Sequence, residues 1–131
     1  MVIIREKGVI ITLTFKNNFC KIKDKKIMQE FLDILCKTSF TVTYWDTEYK
    51  KYIFKATMEK IDTEKYKLLC YTFGILSLTC IFDLNYSYIS CILYPEESKV
   101  FIGLNDSLLT FHIHMSLPKF KRLFSNTLFD L

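Results

Sequence analysis

The chain has 131 residues, of which 50% are hydrophobic and 24% are charged, and its formal net charge is +4. This apolar content is enough for a folded core, so we expect a single domain over residues 1–131 and not a disordered chain. Only three glycines and two prolines occur, which argues against a glycine-rich phosphate loop or a flexible linker. A charge of +4 is also weaker than most nucleic-acid-binding domains carry.

The five cysteines have the pattern of buried thiols and not of a metal site. Their number is odd, no pair has Cys-x-x-Cys spacing, and each stands among apolar neighbours, at positions 20, 36, 70, 80 and 91. Unpaired cysteine behaves as a small hydrophobic residue and persists in reducing compartments. We therefore predict a cytoplasmic protein with reduced thiols and no cofactor.

The sequence shows no segment suited to membrane insertion. The N-terminal stretch MVIIREKGVIITL has charges in its middle and no small-residue cleavage site, unlike a signal peptide. The longest uncharged run, Leu68–Phe82, is shorter than the roughly 20 residues of a membrane-spanning helix. We therefore expect no membrane partner.

The first part of the chain predicts a β-hairpin followed by a helix. Val2–Arg5 and Val9–Phe15 are β-like runs on either side of Gly8. In the second run every other residue is apolar and falls on one face, while two threonines fall on the other face, which is the period of two that marks a half-buried strand. A hairpin or one bulged strand fits this pattern. Asp24 then precedes apolar residues at helical spacing, which predicts a helix from Asp24 to about Lys37.

The middle of the chain predicts a second hairpin and a second helix. Ser39–Trp45 and Tyr49–Met58 both alternate, with a polar tip between them. Asp62 is placed as a helix N-cap and Gly74 as a helix stop, so we predict a helix from Asp62 to about residue 73. A strand over Leu68–Phe73 is the alternative, because short apolar runs fit either structure.

The last part of the chain predicts four strands and a final helix. Short polar turns separate the apolar runs Ile75–Phe82, Tyr86–Tyr94, Lys99–Leu104 and Leu108–Met115, and connections this short favour an antiparallel meander. Ser116 followed by Pro118 marks a helix start. The elements together predict an α+β fold, with a mainly antiparallel sheet of about five to eight strands covered on one face by two or three helices.

The second hairpin carries the surface that we expect to bind a partner. Aromatic residues and lysines interleave along it: Trp45, Tyr49, Lys50, Lys51, Tyr52 and Lys55. Protein interfaces are rich in Trp and Tyr, with mixed charge at the rim. We therefore expect these residues to contact a protein partner, with edge-strand pairing as one route. The same pattern can stack bases and neutralise phosphates, so a nucleic-acid-binding domain is the first alternative.

His112 and His114 form a second candidate site. Two histidines at i and i+2 on a strand point to the same face about 7 Å apart, where they can hold a metal ion or act as acid and base. A metal site needs a third ligand, which the sequence spacing does not supply. A small metal-dependent hydrolase around these residues is therefore the second alternative, and the polar face of a strand is the simpler interpretation.

Two lysine-rich segments form a basic patch if the fold brings them together. They contain Lys21, Lys23, Lys25 and Lys26 in the first and Lys119, Lys121 and Arg122 in the second. No nucleophile motif such as Gly-x-Ser-x-Gly occurs, so the sequence favours a protein that is not an enzyme.

Our prediction is a non-enzymatic protein-binding module, most concretely a small immunity or inhibitor protein that neutralises a toxin or enzyme by masking its surface. A homo-oligomer joined through exposed strand edges is a third alternative.

Overall fold

The computed structural model describes residues 2–5, 8–11, 13–106, 109–125 and 128–129, with the backbone alone for residues 2–11. Strands dominate this part of the chain, and the fold is α+β as predicted. The helices are α1 (Lys25–Leu35), α2 (Leu117–Phe124) and a single 3-10 turn (Pro95–Glu97). The strands are β1 (Val2–Arg5), β2 (Gly8–Ile11), β3 (Phe19–Ile22), β4 (Ser39–Trp45), β5 (Lys51–Lys60), β6 (Lys65–Thr72), β7 (Ile75–Asp83), β8 (Tyr88–Tyr94), β9 (Lys99–Asn105) and β10 (Thr110–Ser116).

Eight strands form one antiparallel sheet in the order β3-β8-β9-β10-β4-β5-β6-β7. Strands β8, β9 and β10 make the predicted meander, but β7 pairs with β6 and not with β8. Strand β3, which the sequence patterns did not predict, pairs with β8 at one edge. Strands β1 and β2 form a separate two-stranded sheet, which agrees with the predicted first hairpin. The expected turn between them lies outside the described residues.

The large sheet curls strongly. Strand β7 and strand β8 are six steps apart in the strand order, so in a flat sheet they would lie at least about 29 Å apart at the usual strand spacing. The chain joins Asp83 to Tyr88 directly, and a link of this length spans at most about 18 Å. The sheet must therefore bend back on itself, and we call the helix-bearing side the inner face and the opposite side the outer face.

The core fills the inner face. Alternate strand residues point inward because successive strand side chains face opposite sides, and they pack on Met28, Phe31 and Leu32 of α1 and on Phe120 and Phe124 of α2. The Phe31 and Phe124 rings stack with centroids 4.4 Å apart. Burying each such ring contributes about 1.5–3 kcal/mol, so these aromatic contacts hold both helices against the sheet.

Local capping signals place both helices as predicted. The Asp24 carboxylate accepts a hydrogen bond from the Ile27 N–H at 3.0 Å, and α1 ends at Leu35, two residues before the expected end. The Ser116 hydroxyl accepts from the Lys119 N–H at 3.2 Å, and a proline stands in the first turn of α2. Such caps satisfy the N–H groups that the first helical turn leaves unpaired. Neither helix of the described residues is long and apolar enough to cross a membrane.

The helix predicted from Asp62 to residue 73 is wrong, because Lys65–Thr72 form β6 and the residues on either side form turns. The Asp62 carboxylate accepts from the Glu64 N–H in a turn and does not cap a helix. Tyr66, Leu68 and Cys70 are buried at a spacing of two, the strand periodicity that the alternative interpretation allowed for part of this segment. The backbone N–H and C=O groups of β6 point alternately to β5 and to β7, so pairing on both sides satisfies them. This pairing outweighs the local helical preference of the segment.

Candidate functional site

The turn between β4 and β5 is held by one carboxylate. Asp46 accepts hydrogen bonds from the N–H groups of Glu48 and Lys50, both at 2.9 Å, and from the Tyr52 hydroxyl at 3.2 Å. The bond from Lys50 is the main reason why the pKa of Asp46 lies below its ordinary value. Tyr49 occupies the left-handed region of backbone conformation, with φ of 64°. The carboxylate therefore presents the Tyr49 side chain at the tip.

Strand alternation divides the predicted binding residues between two faces and the tip. Trp45, Lys51 and Lys55 are exposed on the outer face, where the Lys51 ammonium lies 5.6 Å from the Trp45 ring centroid. Tyr52 points to the inner face and is half-buried, while Tyr49 and Lys50 stand exposed at the tip. The structure thus brings Trp45 and Lys51 together and separates them from Tyr52.

Edge-strand pairing by this hairpin, which the sequence suggested as a binding route, is wrong. Both β4 and β5 are interior strands, with β10 on one side and β6 on the other. Their backbone groups are already used in the sheet, so they offer no edge to a partner. In the described part of the chain the edges of the large sheet are β3 and β7.

Large apolar side chains gather at one end of the sheet. The β6–β7 connection is a two-residue turn in which Phe73 and Gly74 both have positive φ, at 52° and 77°, as a type I′ turn requires. It lies at the same end as the β4–β5 turn because the intervening strands are antiparallel. We call this region the hairpin end and define it by Trp45, Tyr49, Ile53, Phe73 and Ile75.

The exposure of these side chains is high. Phe73 is 100% exposed, Tyr49 86%, Ile75 70%, Ile53 59% and Trp45 49%. The sequence did not predict that Phe73 and Ile75 are exposed, because its patterns placed the first at the end of a helix and the second at the start of an apolar strand. Gly74 between two β-like runs is the signal that could have indicated a turn there.

An apolar cleft opens on the inner face of the hairpin end. Its volume is about 480 Å³, and it is lined by Tyr44, Asp46, Tyr52, Phe54, Thr72, Ser77 and Leu78. A row of aromatic rings forms one wall, with centroid distances of 6.2 Å from Tyr44 to Tyr52 and 6.2 Å from Tyr52 to Phe54. The Lys50 ammonium lies 5.2 Å from the centroid of Tyr52. We call this space the inner cleft.

His112 and His114 lie on the outer face of β10, as their spacing predicted, and both are half-buried. Burial lowers the pKa of each below the ordinary 6.5, and in His114 the neighbouring His112 adds to this effect. The His114 ring packs edge-on against Phe101 at 4.5 Å. Its buried Nε2 has no hydrogen-bond partner among the described residues, and those residues contain no group of three metal-ligating side chains.

A buried amide organises the outer face beside His112. Asn105, which is 8% exposed, donates from Nδ2 to the carbonyl of Gly103 at 3.1 Å and to the hydroxyl of Ser90 at 3.3 Å. Its Oδ1 accepts from the Thr110 hydroxyl at 3.0 Å. Gly103 leaves the space that this cluster fills. The polar groups of Asn105, Ser90 and Thr110 bond within this cluster, so the cluster contributes to the stability of the fold.

Lys25 and Lys119, one from each lysine-rich segment, lie at opposite ends of α1. Lys25, in the first turn of α1, forms an ion pair with Glu64 at 3.6 Å. Lys119, at the start of α2, donates to the carbonyl of Ser39 at 2.7 Å, beyond the other end of α1. A helix of this length separates its ends by about 16 Å. These lysines thus anchor different parts of the fold.

The cysteines are all unpaired, and burial raises the pKa of each thiol. The effect raises the pKa of Cys70 to about 11 and that of Cys91 well above its ordinary value. A raised pKa disfavours the thiolate, the reactive form. The thiols therefore behave as core residues, in line with the prediction from their apolar neighbours.

Comparisons with protein-family models, with curated proteins and with solved structures found no match. Inferences about function therefore rest on the geometry of the hairpin end, the inner cleft and the histidine pair.

Proposed function

We propose that the protein is a non-enzymatic binding module, most concretely a small immunity or inhibitor protein that neutralises a toxin or enzyme by covering its surface. The supporting observation is the hairpin end, where five large apolar or aromatic side chains are about half exposed or more. Folded chains seldom expose such groups together unless another molecule covers them. Trp and Tyr are also the side chains that most often dominate binding energy at interfaces.

The charges around the hairpin end suit the rim of an interface. Lys50, Lys51 and Lys55 are exposed beside the aromatic residues, and Lys50 and Lys51 lie over the rings of Tyr52 and Trp45. Exposed rim charges mainly speed and orient association, while buried aromatic anchors supply affinity. A partner with acidic groups around an apolar patch would match this surface.

Site-specific photo-crosslinking in cells that make the full chain tests the proposal. A benzophenone amino acid replaces Tyr49 or Phe73 in separate variants, and Tyr86 in a matched control. Tyr86 is 74% exposed and follows the far end of β7, about 27 Å along the strand from the Phe73 turn. We expect one protein adduct of constant mass at both test positions and none at the control.

The adduct must also depend on the predicted binding residues. Trp45→Ala and Lys51→Ala should each reduce its yield at least about threefold, because they remove an anchor and a rim charge. Equal crosslinking at Tyr86, or adducts that survive both substitutions, would refute the proposed surface. Steeply salt-dependent binding of the purified chain to single-stranded DNA or RNA would favour the nucleic-acid alternative instead.

A further inference from the structure

We propose that the free edge of β7 and the inner cleft together bind one extended, acidic segment of a protein partner. The segment adds a strand to the sheet and places one aromatic or large aliphatic side chain in the cleft. This inference rests on the proposed function, since it specifies how a partner would engage the same end of the sheet.

The first observation is the pattern of backbone hydrogen bonds around β6. The Ile61 N–H donates to the Lys65 carbonyl and the Leu84 N–H donates to the Glu64 carbonyl, both at 2.9 Å. Hydrogen-bonded and non-hydrogen-bonded pairs alternate along antiparallel strands. Given the register of β6 and β7, the N–H and C=O groups of Thr79 and Ile81 point away from β6. No other strand of the described residues pairs with that side.

The second observation is the composition of this edge. From Ile75 to Phe82 the strand contains no charge and no proline, whereas exposed edges are usually protected by lysine, proline or a covering element. A register shift opposite Cys70 and Tyr71 gives limited protection, because it interrupts regular pairing near Ser77. Strand addition is therefore expected over Leu78–Phe82, where β7 is regular.

The third observation is the position of the inner cleft beside this edge. Ser77 and Leu78 of β7 line it, opposite Tyr52 and Phe54 of β5. An incoming strand next to β7 directs alternate side chains to the inner face, where the cleft can receive one of them. Its volume of about 480 Å³ lies within the usual range for binding pockets, and its aromatic wall suits a ring.

Charge complementarity indicates that the segment is acidic. The charged residues on the outer face of β5 and β6 are four lysines and one glutamate: Lys51, Lys55, Lys65, Lys67 and Glu59. The ion pairs among the described residues are Lys25–Glu64 and Lys60–Asp33.

Lys67 lies opposite Glu59, and Lys65 lies opposite Asp83 and attracts its carboxylate. Four lysines against two carboxylates therefore leave an excess of two positive charges on this face. Lys65 and Lys67 on β6 lie two strand spacings, about 10 Å, from an added strand, so acidic side chains on its outer face can approach them. The lysines of β5 add a longer-range attraction.

A second copy of this chain fits the edge less well. Antiparallel self-pairing centred on Thr79 places Leu76 opposite Phe82. The register shift puts Leu76 on the outer face, paired with Tyr71, while Phe82 is buried on the inner face. Side chains of paired residues share one face, so this register breaks the ladder.

The register centred on Cys80, by contrast, pairs Thr79 with Ile81 and keeps Leu78 and Phe82 on the inner face. In this register Phe82 of each copy stays buried in its own core and leaves the cleft unfilled, and lysines of like charge share one outer face. An acidic segment of a different protein therefore matches the edge better than a second copy.

The test uses a fluorescein-labelled peptide of alternating glutamate and valine with one central phenylalanine, titrated against the full chain by fluorescence anisotropy. We expect saturable binding that weakens as salt rises. Replacing the central phenylalanine by alanine should weaken binding at least about tenfold, as loss of an anchor residue does. A peptide with lysine in place of glutamate should not bind.

The matched protein variants are Thr79→Pro and Tyr86→Ala. Proline at position 79 removes an N–H that points away from β6, so no bond within the sheet is lost, and binding should weaken at least about tenfold. Tyr86→Ala should bind normally. In the wild-type chain the amides of Thr79 and Ile81 should exchange more slowly with peptide bound, a result independent of how well the proline variant folds.

Several results overturn the inference. The inference is wrong if the Thr79→Pro variant still binds the acidic peptide, or if the wild-type chain binds the lysine peptide. It is also wrong if amide exchange at Thr79 and Ile81 does not change when the peptide binds, or if the chain forms a dimer that Thr79→Pro dissociates. If the crosslinks at Tyr49 and Phe73 persist while the peptide fails to bind, the proposed function stands and this inference falls. If crosslinking also fails, both fall.

Discussion

Replacing Gly103 by alanine tests how the outer face of β9 is built. Gly103 pairs with Ser90 on β8 and with His112 on β10. A Cβ at position 103 would lie 2.6 Å from the Ser90 hydroxyl oxygen and 3.2 Å from the Asn105 side-chain nitrogen. The first distance is too short for any ordinary contact, so one side chain must move. Since Asn105 is buried and bonded to Ser90, moving either one weakens its hydrogen bonds.

The expected cost follows from two opposing effects. Leaving a buried amide poorly paired costs about 1–3 kcal/mol, while alanine in place of glycine stabilises a strand by roughly 0.5–1 kcal/mol. We therefore expect Gly103→Ala to lower the free energy of unfolding by about 1–2 kcal/mol. Urea denaturation followed by tryptophan fluorescence measures this, with the slope against urea unchanged if unfolding stays two-state.

A double-mutant cycle with Ser90→Ala identifies the cause. Removing the Ser90 hydroxyl also removes the closest atom to the new methyl group, so Gly103→Ala should cost about 0.5–1 kcal/mol less in that background. An equal cost in both backgrounds, or a Gly103→Ala variant more stable than wild type, would refute the steric explanation.

Three further predictions concern titratable and polar groups. Tyr66→Phe should lower the free energy of unfolding by about 1–2 kcal/mol in urea titrations, because the hydroxyl donates to Asp33 at 2.6 Å; an unchanged midpoint would contradict this. The pKa values of His112 and His114 are lowered by burial, so the unfolded chain binds protons first and stability falls as pH drops below about 6.5. A variant with glutamine at both positions should lose part of this dependence in thermal melts, and an identical pH profile would count against it. The thiol of Cys70, with its pKa raised to about 11, should react with a thiol reagent at pH 8 far more slowly in the native than in the unfolded chain; equal rates would show that it is not protected.

Local signals in the sequence were sufficient to place the starts of α1 and α2. Asp24 and Ser116 mark true helix starts, because a cap depends on a few neighbouring residues and needs no distant partner. The alternation of Ser39–Trp45 likewise predicted a half-buried strand, which the structure shows as β4. The spacing of His112 and His114 placed both on one polar strand face for the same reason.

The error at Asp62 shows where local signals fail. The segment that follows contains apolar residues at both helical and strand spacing, and single-sequence patterns cannot separate the two over so short a run. Strands β5 and β7 decide the outcome, since each pairs with one side of β6. The same error hid the turn at Phe73, and with it the most exposed aromatic residue of the hairpin end.

The sequence by itself determined the class of fold, the helix starts, most strands and the aromatic hairpin that we propose as part of the binding surface. Only the tertiary structure decided which strands are edges, which face each hairpin residue occupies, and that β7 and the inner cleft lie together. Capping and alternation arise between residues a few positions apart. Strand order and sheet curvature arise from pairings between distant segments, whose energies depend on the packing of the whole core.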